Sequence, residues 1–335
     1  MSILKKQTSF LCLAILLAIV TQAQDSSLEK TINRQSLQEM VALLAADSMM
    51  GRMTGSNEIL KAGNWITQQF IYAGLYPVAG NNGYWQPFYT NSIPILTGYN
   101  IVAALPGKSK TNEVIIFCAH YDHIGTNFSS SYNAGKKKLW KERKDTIFNG
   151  ANDNASGVAA LISLANYFAA LKNNERTLLF VAFSGEELNL VGSSFFSKNI
   201  DADKIIAVIN LEMLGRYNNT TRNAYITGSK KTNLLPLLNE QLKKQNYQQY
   251  KKGYFKHDAF EEHRLFERSD NYSFALKGIP AHTIITSHPE DVYYHTVHDA
   301  YTSLDYKRME ETIKAIALAV RGLIDGSDTP TRIKN

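Results

Sequence analysis

Three short apolar, β-rich runs each give way to a side chain of the kind that binds metal, and this recurrence constrains the fold more than any other feature of the chain. Residues 113–119 lead into His120, residues 177–183 into Ser184-Gly185-Glu186-Glu187, and residues 204–210 into Leu211-Glu212. Apolar runs of this length, bounded by turn residues, read as buried strands. Between and around them lie helical patterns. Residues 155–171 are apolar almost all round, the mark of a helix buried against a sheet, and further helices are expected at 28–46, 57–74, 190–198, 231–245 and 305–324. Residues 85–89, 99–104 and 281–286 read as additional strands. The alternation predicts an α/β fold, a three-layer α/β/α sandwich around a mixed, largely parallel sheet. No internal repeat or low-complexity linker divides residues 24–335, which read as one catalytic domain.

The first residues read as an address. Lys5 and Lys6 precede an apolar run from Phe10 to Val20, and Thr21-Gln22-Ala23 offers small residues for cleavage. The run is short for a membrane span, so residues 1–23 are expected to be a signal peptide, with the protein exported to the periplasm or beyond and not held in a membrane. Without that leader the formal charge falls from +6 to +4, because Lys5 and Lys6 are lost. Of the two cysteines, Cys12 belongs to the leader, so Cys118 has no intrachain partner. The basic runs, 136–144 and 243–252, are interrupted and carry no nucleic-acid motif, so they read as solvated faces and no nucleic-acid partner is expected.

Each ligand-type residue has a plain alternative. Glu186 and Glu187 could be a solvated pair, because acids are rarely buried. His120 and Asp122 in His120-Tyr-Asp122 could begin a polar loop. The alternation of a strand end could instead put both on one side, with Asp122 orienting a ligating imidazole. Asp153 or Asn154, in Gly150-Ala-Asn-Asp-Asn-Ala-Ser-Gly157, could simply cap the following helix. His295 and His298, in Tyr293-Tyr-His-Thr-Val-His-Asp299, could sit on a surface loop. Competing chemistries leave no trace: there is no Gly-x-Ser-x-Gly elbow, phosphate-binding loop or His-Glu-x-x-His helix. Cys118 lies inside an apolar run and reads as a core thiol.

Taken in order, these segments resemble the M28 zinc aminopeptidases, a family related to glutamate carboxypeptidase and the glutaminyl cyclases. The likeness runs from Met50-Gly51-Arg52 and Gly55, through Asn100-Ile-Val-Ala-Ala-Leu-Pro-Gly107, to Tyr294-His295. The resemblance implies two zinc ions per chain. His120 and Glu212 would hold one, Glu187 and His295 the other, and Asp153 would bridge them. It also implies Glu186 as general base, Tyr294 as stabiliser of the oxyanion, and Asp122 as the acid behind His120. The substrates would be peptides with a free N-terminus. Glu212 stands where the family more often has Asp, His123 where Ser is often found, and Asn271 where many bacterial members have His. Two rival functions remain: a single-zinc glutaminyl cyclase, and a non-catalytic metal- or peptide-binding protein on the same scaffold.

Overall fold

A computed structural model describes residues 27–90, 95–126, 145–217, 223–245 and 247–334. The expected leader, residues 1–23, and the basic run 136–144 lie outside the described residues.

In chain order the elements are α1 (Arg34–Leu44), α2 (Asn57–Tyr72), β1 (Tyr76–Pro77), β2 (Trp85–Tyr89), β3 (Thr97–Leu105) and β4 (Lys110–His120). Then come α3 (Ser156–Leu171), β5 (Arg176–Phe183), α4 (Val191–Lys198), β6 (Ile205–Glu212), β7 (Tyr225–Ile226) and α5 (Leu234–Lys244). The chain closes with β8 (Lys256–His257), α6 (Asn271–Ala275), β9 (Ala281–Ile285), α7 (Tyr306–Ala319) and α8 (Arg321–Asp325). The strands form one sheet in the order β1-β3-β5-β4-β6-β9-β7-β8, with β2 also paired to β3. Its centre, β5-β4-β6-β9, is parallel, whereas β3 and β7 join it antiparallel. The sheet is therefore mixed and largely parallel, as expected.

Side chains on the central strands alternate between two cores. Ile115, Phe117 and Ala119 of β4 join the larger core, with α1, α2, α3, α5 and α7, while Ile116 and Cys118 face the smaller one, with Phe196 of α4 and Phe274 of α6. This period of two places helices on both faces and makes three layers. Phe117 stacks on Phe168 of α3 and on Phe180 of β5, with ring centres 5.7 and 5.5 Å apart. Among the described residues one helical stretch, Ala151–Leu171, is long and apolar enough to cross a membrane; 83% of its most apolar window is buried inside the protein, so it serves as a core helix.

Several boundaries differ from expectation. The helix expected over 28–46 is broken: residues 27–31 form a separate turn, and Asn33 caps α1 by accepting a hydrogen bond from the Ser36 amide. The stretch 305–324 divides at Val320, whose ψ of 0° ends the regular helix between α7 and α8. His120 and Glu212 are the last residues of β4 and β6, so each strand reaches one or two residues farther than its apolar run. The polarity of a ligand-type side chain hides a backbone that still pairs.

Arg52 ties the ligand-bearing loops to the body. It is 0% exposed, and its guanidinium donates to the carbonyls of Tyr121 (2.9 Å), Asn149 (2.7 Å), Gly150 (3.0 Å) and Leu44. Burial lowers its pKa to about 10, against the pull of Asp153, Asp299, Asp122 and Glu187, so it stays charged at neutral pH. Arg52→Met leaves four buried carbonyls without their donor, each costing ~1–3 kcal/mol if unpaired. Urea unfolding is expected to show a loss of at least about 3 kcal/mol. A loss below about 0.5 kcal/mol, the range of ordinary surface changes, would contradict this role.

Candidate metal centre

The carboxyl ends of β4, β5 and β6 lie on the same side of the sheet because the three strands are parallel. His120 stands opposite Phe183 in the β4–β5 ladder, and Glu212 stands opposite Ile285 in the β6–β9 ladder. Topology alone therefore gathers His120, the Glu186–Glu187 loop and Glu212 at one edge, where α/β sheets hold ligands.

Asp153 joins them from the N-terminal side of α3. The competing reading, that Asp153 or Asn154 is a helix cap, resolves in favour of Asn154. Its Oδ1 accepts from the amides of Gly157 (3.0 Å) and Met213 (3.1 Å), and its Nδ2 donates to the Leu211 carbonyl. Gly157 is needed for this approach of α3 to β6, because a Cβ there would stand 2.3 Å from the Leu211 oxygen. With Asn154 occupied, Asp153 is free to face the strand ends. Its amide donates to Asp299 Oδ2 at 3.1 Å, and the neighbouring Asn152 amide donates to Asp299 Oδ1 at 2.9 Å.

Two groups of metal-type donors share Asp153: His120, Asp153 and Glu212 form one, and His123, Asp153, Glu187 and His295 form the other. In the first, His120 Nε2 lies 3.2 Å from both Asp153 Oδ1 and Glu212 Oε1. In the second, His295 Nε2 lies 3.1 Å from both Asp153 Oδ2 and Glu187 Oε2, and His123 Nδ1 lies 2.9 Å from Glu187 Oε1. Donors about 2.0–2.1 Å from a tetrahedral zinc stand about 3.3–3.4 Å from one another, so the spacing suits zinc on both sides of Asp153. Asp153 Oδ2 supports the fit: it is buried and makes no well-formed hydrogen bond despite its 3.1 Å approach to His295.

The supporting contacts are specific. His120 Nδ1 lies 3.1 Å from the Asp122 carbonyl and 3.7 Å from the Asp122 carboxylate. Of the two Asp122 groups behind His120, the main-chain carbonyl is the nearer acceptor. The Asp122 carboxylate is engaged by the amides of Glu186 and Glu187 and by the Thr54 hydroxyl, so it holds the whole β5 loop. Glu212, one methylene longer than the family's usual Asp, still points inward, and its Oε2 accepts from Ser269 at 2.8 Å. His295 adopts a left-handed conformation, φ 53°, that few non-glycine residues take, as is common at functional sites. Tyr294 stacks on the His295 ring at 3.9 Å.

Electrostatics separates the adjacent glutamates. Burial pushes both up, and the neighbouring Glu187, Glu212 and Asp270 carboxylates push Glu186 well above the usual carboxylate range despite the opposing pull of His120. Glu187 is held below its ordinary value because hydrogen bonds from His123 and His295 outweigh burial and the Asp153 charge. Burial would lower the pKa of His295, yet the Asp153 and Glu187 carboxylates beside it carry it up to about 11. A cleft opens beside the first group, lined by His120, Asp153, Glu186, Glu212 and Tyr294, with Met213, Leu265 and Ile285 as an apolar wall and Arg268 and His288 at its polar side.

Other candidates fall elsewhere. His298 is exposed and belongs to neither group. Cys118 is a core thiol 3.4 Å from Asn210 Oδ1. Asn271 bonds to the Phe266 carbonyl, accepts from Thr283 and belongs to neither donor group. Sequence reasoning missed three participants: His123, Ser269 and Asp299. His123, three residues after His120, and Asp299, four residues after His295, had a local signal; Ser269 had none.

The chain matches Peptidase family M28 over residues 100–320, more than half of its length, and belongs to that family. A probable zinc metalloprotease of Pyricularia oryzae is 32% identical over 118 residues, which cover 35% of this chain and 21% of that protein. A probable leucine aminopeptidase of Arthroderma otae is 25% identical over 316 residues, 88% of this chain and 77% of that protein. The chain thus spans a minor part of the metalloprotease relative and most of the aminopeptidase one. Among solved structures, the aminopeptidase from Aneurinibacillus sp. strain AM-1 superposes with a TM-score of 0.63 at 16% identity, covering 89% of this chain and 95% of that one. The glutaminyl cyclase of Porphyromonas gingivalis gives 0.67 at 17%, covering 88% and 99%. At these identities the superpositions speak for the fold alone.

Asp299 offers a test of the support. Both of its oxygens accept backbone amides, and Arg216 donates to Oδ1 at 2.8 Å. In Asp299→Asn, either amide orientation sets an NH2 group against a donor. Losing an outer partner of this kind costs ~10–100-fold in metal affinity, and chelator competition is expected to show a loss in that range. An affinity within twofold of wild type would contradict the role.

Proposed function

We propose that the chain is an exported zinc aminopeptidase that uses two ions to hydrolyse the N-terminal peptide bond of peptides. His120 and Glu212 would hold one ion, Glu187 and His295 the other, with Asp153 between them. Bound zinc supplies Lewis acidity, which lowers the pKa of a water and polarises a carbonyl. Export rests on the leader-like residues 1–23.

The observation that carries the reading is the division of labour within Glu186–Glu187. Two titratable groups whose surroundings push them apart mark separate acid–base roles. Glu187, held ionised by two histidines, is suited to binding a cation. Glu186, held high and lining the cleft, is suited to moving a proton. It would take a proton from the attacking water and deliver it to the leaving amine. The Tyr294 hydroxyl, on the cleft wall, would stabilise the oxyanion of the tetrahedral intermediate. The carboxylates around the cleft suit a substrate with a free, positively charged N-terminus, and the Met213, Leu265 and Ile285 wall suits an apolar first side chain.

The test pairs zinc analysis with three substrates: a peptide with a free apolar N-terminus, its N-acetylated form, and a peptide beginning with Gln. About two zincs per chain, release of the first residue from the free peptide and none from the acetylated one are expected. Glu186→Gln is expected to keep its zinc while kcat falls ~10²–10⁴-fold, the usual worth of a general base. Activity that survives full demetallation would contradict the proposal. Ammonia loss from the Gln peptide without cleavage would assign the site to cyclase chemistry, and bound zinc with no turnover of any substrate would assign it to binding.

A further inference from the structure

We infer that His123 is a fourth protein ligand of the ion held by Asp153, Glu187 and His295, so that the centre is asymmetric: that site is closed, and the His120 site keeps the open position. This rests on the two-zinc reading above and adds to it a ligand that stands where family members often have Ser.

The geometry carries it. His123 Nδ1 lies 2.9 Å from Glu187 Oε1 and 3.7 Å from Asp153 Oδ2, while His295 Nε2 lies 3.1 Å from oxygens of the same two carboxylates. These separations bracket the ~3.3–3.4 Å edge of a tetrahedral zinc shell, so four side chains supply four corners. The His123 ring is 1% exposed. Its Nε2 has no hydrogen-bond partner among the described residues, so every polar contact of the ring lies on the donor-group side.

The ring is also fixed in place. The His123 amide donates to the Arg52 carbonyl at 3.2 Å. The ring packs edge-on to His295, with centres 5.4 Å apart. Gly150, at φ +59°, leaves the space it needs, because a Cβ there would stand 2.5 Å from His123 Cδ2. A serine at this position would be too short to fill the corner.

The consequence is a division between the two sites. Zinc sites with four protein ligands are usually structural, whereas catalytic ones keep a position open. The His120, Asp153 and Glu212 group has three donors, and it is this group that lines the cleft; His123, Glu187 and His295 do not. The closed site is therefore the tighter one and fills first.

A merely orienting His123 would donate from Nδ1–H to Glu187, and His123→Asn separates the two roles. An Asn side chain reaches a similar point and can still donate to Glu187, but it is a poor zinc ligand. The test titrates metal-free full-length protein with zinc against a chelator of known affinity, for wild type, His123→Asn and His123→Cys. Thermal unfolding of each metal-free form checks the fold. Wild type is expected to take up two zincs, one tightly. His123→Asn should weaken the tight site by more than the ~100-fold upper range for loss of an outer partner, leaving the weaker site within a few-fold, and His123→Cys should restore much of the loss. With one equivalent of cobalt(II), wild type should show the intense visible bands of a tetrahedral site and His123→Asn should lose them. A tight site weakened in His123→Asn by no more than the ~100-fold of an outer partner would overturn the inference. If wild type takes up only one zinc, the two-metal reading falls. His123 as a ligand is then upheld by a collapse of that single site in His123→Asn and overturned by its retention.

Discussion

Repulsion among buried carboxylates governs this end of the molecule. Asp122, Asp153, Glu212 and Asp270 are at most 7% exposed, and Glu186 and Glu187 are only partly exposed beside them. Burying even one unpaired carboxylate costs several kcal/mol, and burial, with the nearby Asp122 and Glu212 charges, pushes Asp270 up to about 7 despite the pull of His120 and the Ser193 hydroxyl. So many acids are tolerable in one place only with cations among them. His120 and His295, with pKa values raised by the carboxylates they touch, supply positive charge when no metal is bound. Zinc would supply more, and metal binding has to displace those protons.

The rest of the fold serves this concentration of charge. Parallel strands bring His120, the Glu186–Glu187 loop and Glu212 to one edge, and Asn154 takes over the capping that would otherwise occupy Asp153. Arg52, Arg216 and Asp299 fix the loops from behind through hydrogen bonds to main-chain atoms and carboxylates. Thr54 bridges Asp122, Ser184 and the Gly185 amide. The Met50-Gly-Arg52 and Gly55 stretch, far from the donors in sequence, thus flanks residues that hold two ligand-bearing loops in place. His120 and Glu212, on one side of Asp153, line the cleft, and the two halves of the centre differ in donors.

The central sheet was legible because its strands are buried on both faces and read as continuous apolar runs. Strands β7 and β8, two residues each, fall below any periodic signal, and the breaks at Asn33 and Val320 lie inside otherwise regular helical patterns. Among the site residues, Glu186, Glu187, His120 and Glu212 announce themselves by following apolar runs, but their roles came from resemblance. His123 was passed over because it departs from the family pattern, although it sits three residues from His120. Ser269 and Asp299 act through contacts to residues 57 and 146 positions away, and only the folded chain brings these together.

The central claim is that Asp153 stands between two ions. Anomalous diffraction from crystals of the zinc-loaded protein, measured on both sides of the zinc absorption edge, tests it most directly. Two peaks are expected, one among His120, Asp153 and Glu212 and the other among Asp153, Glu187 and His295. A single peak, or peaks away from the Asp153 carboxylate, would contradict the account.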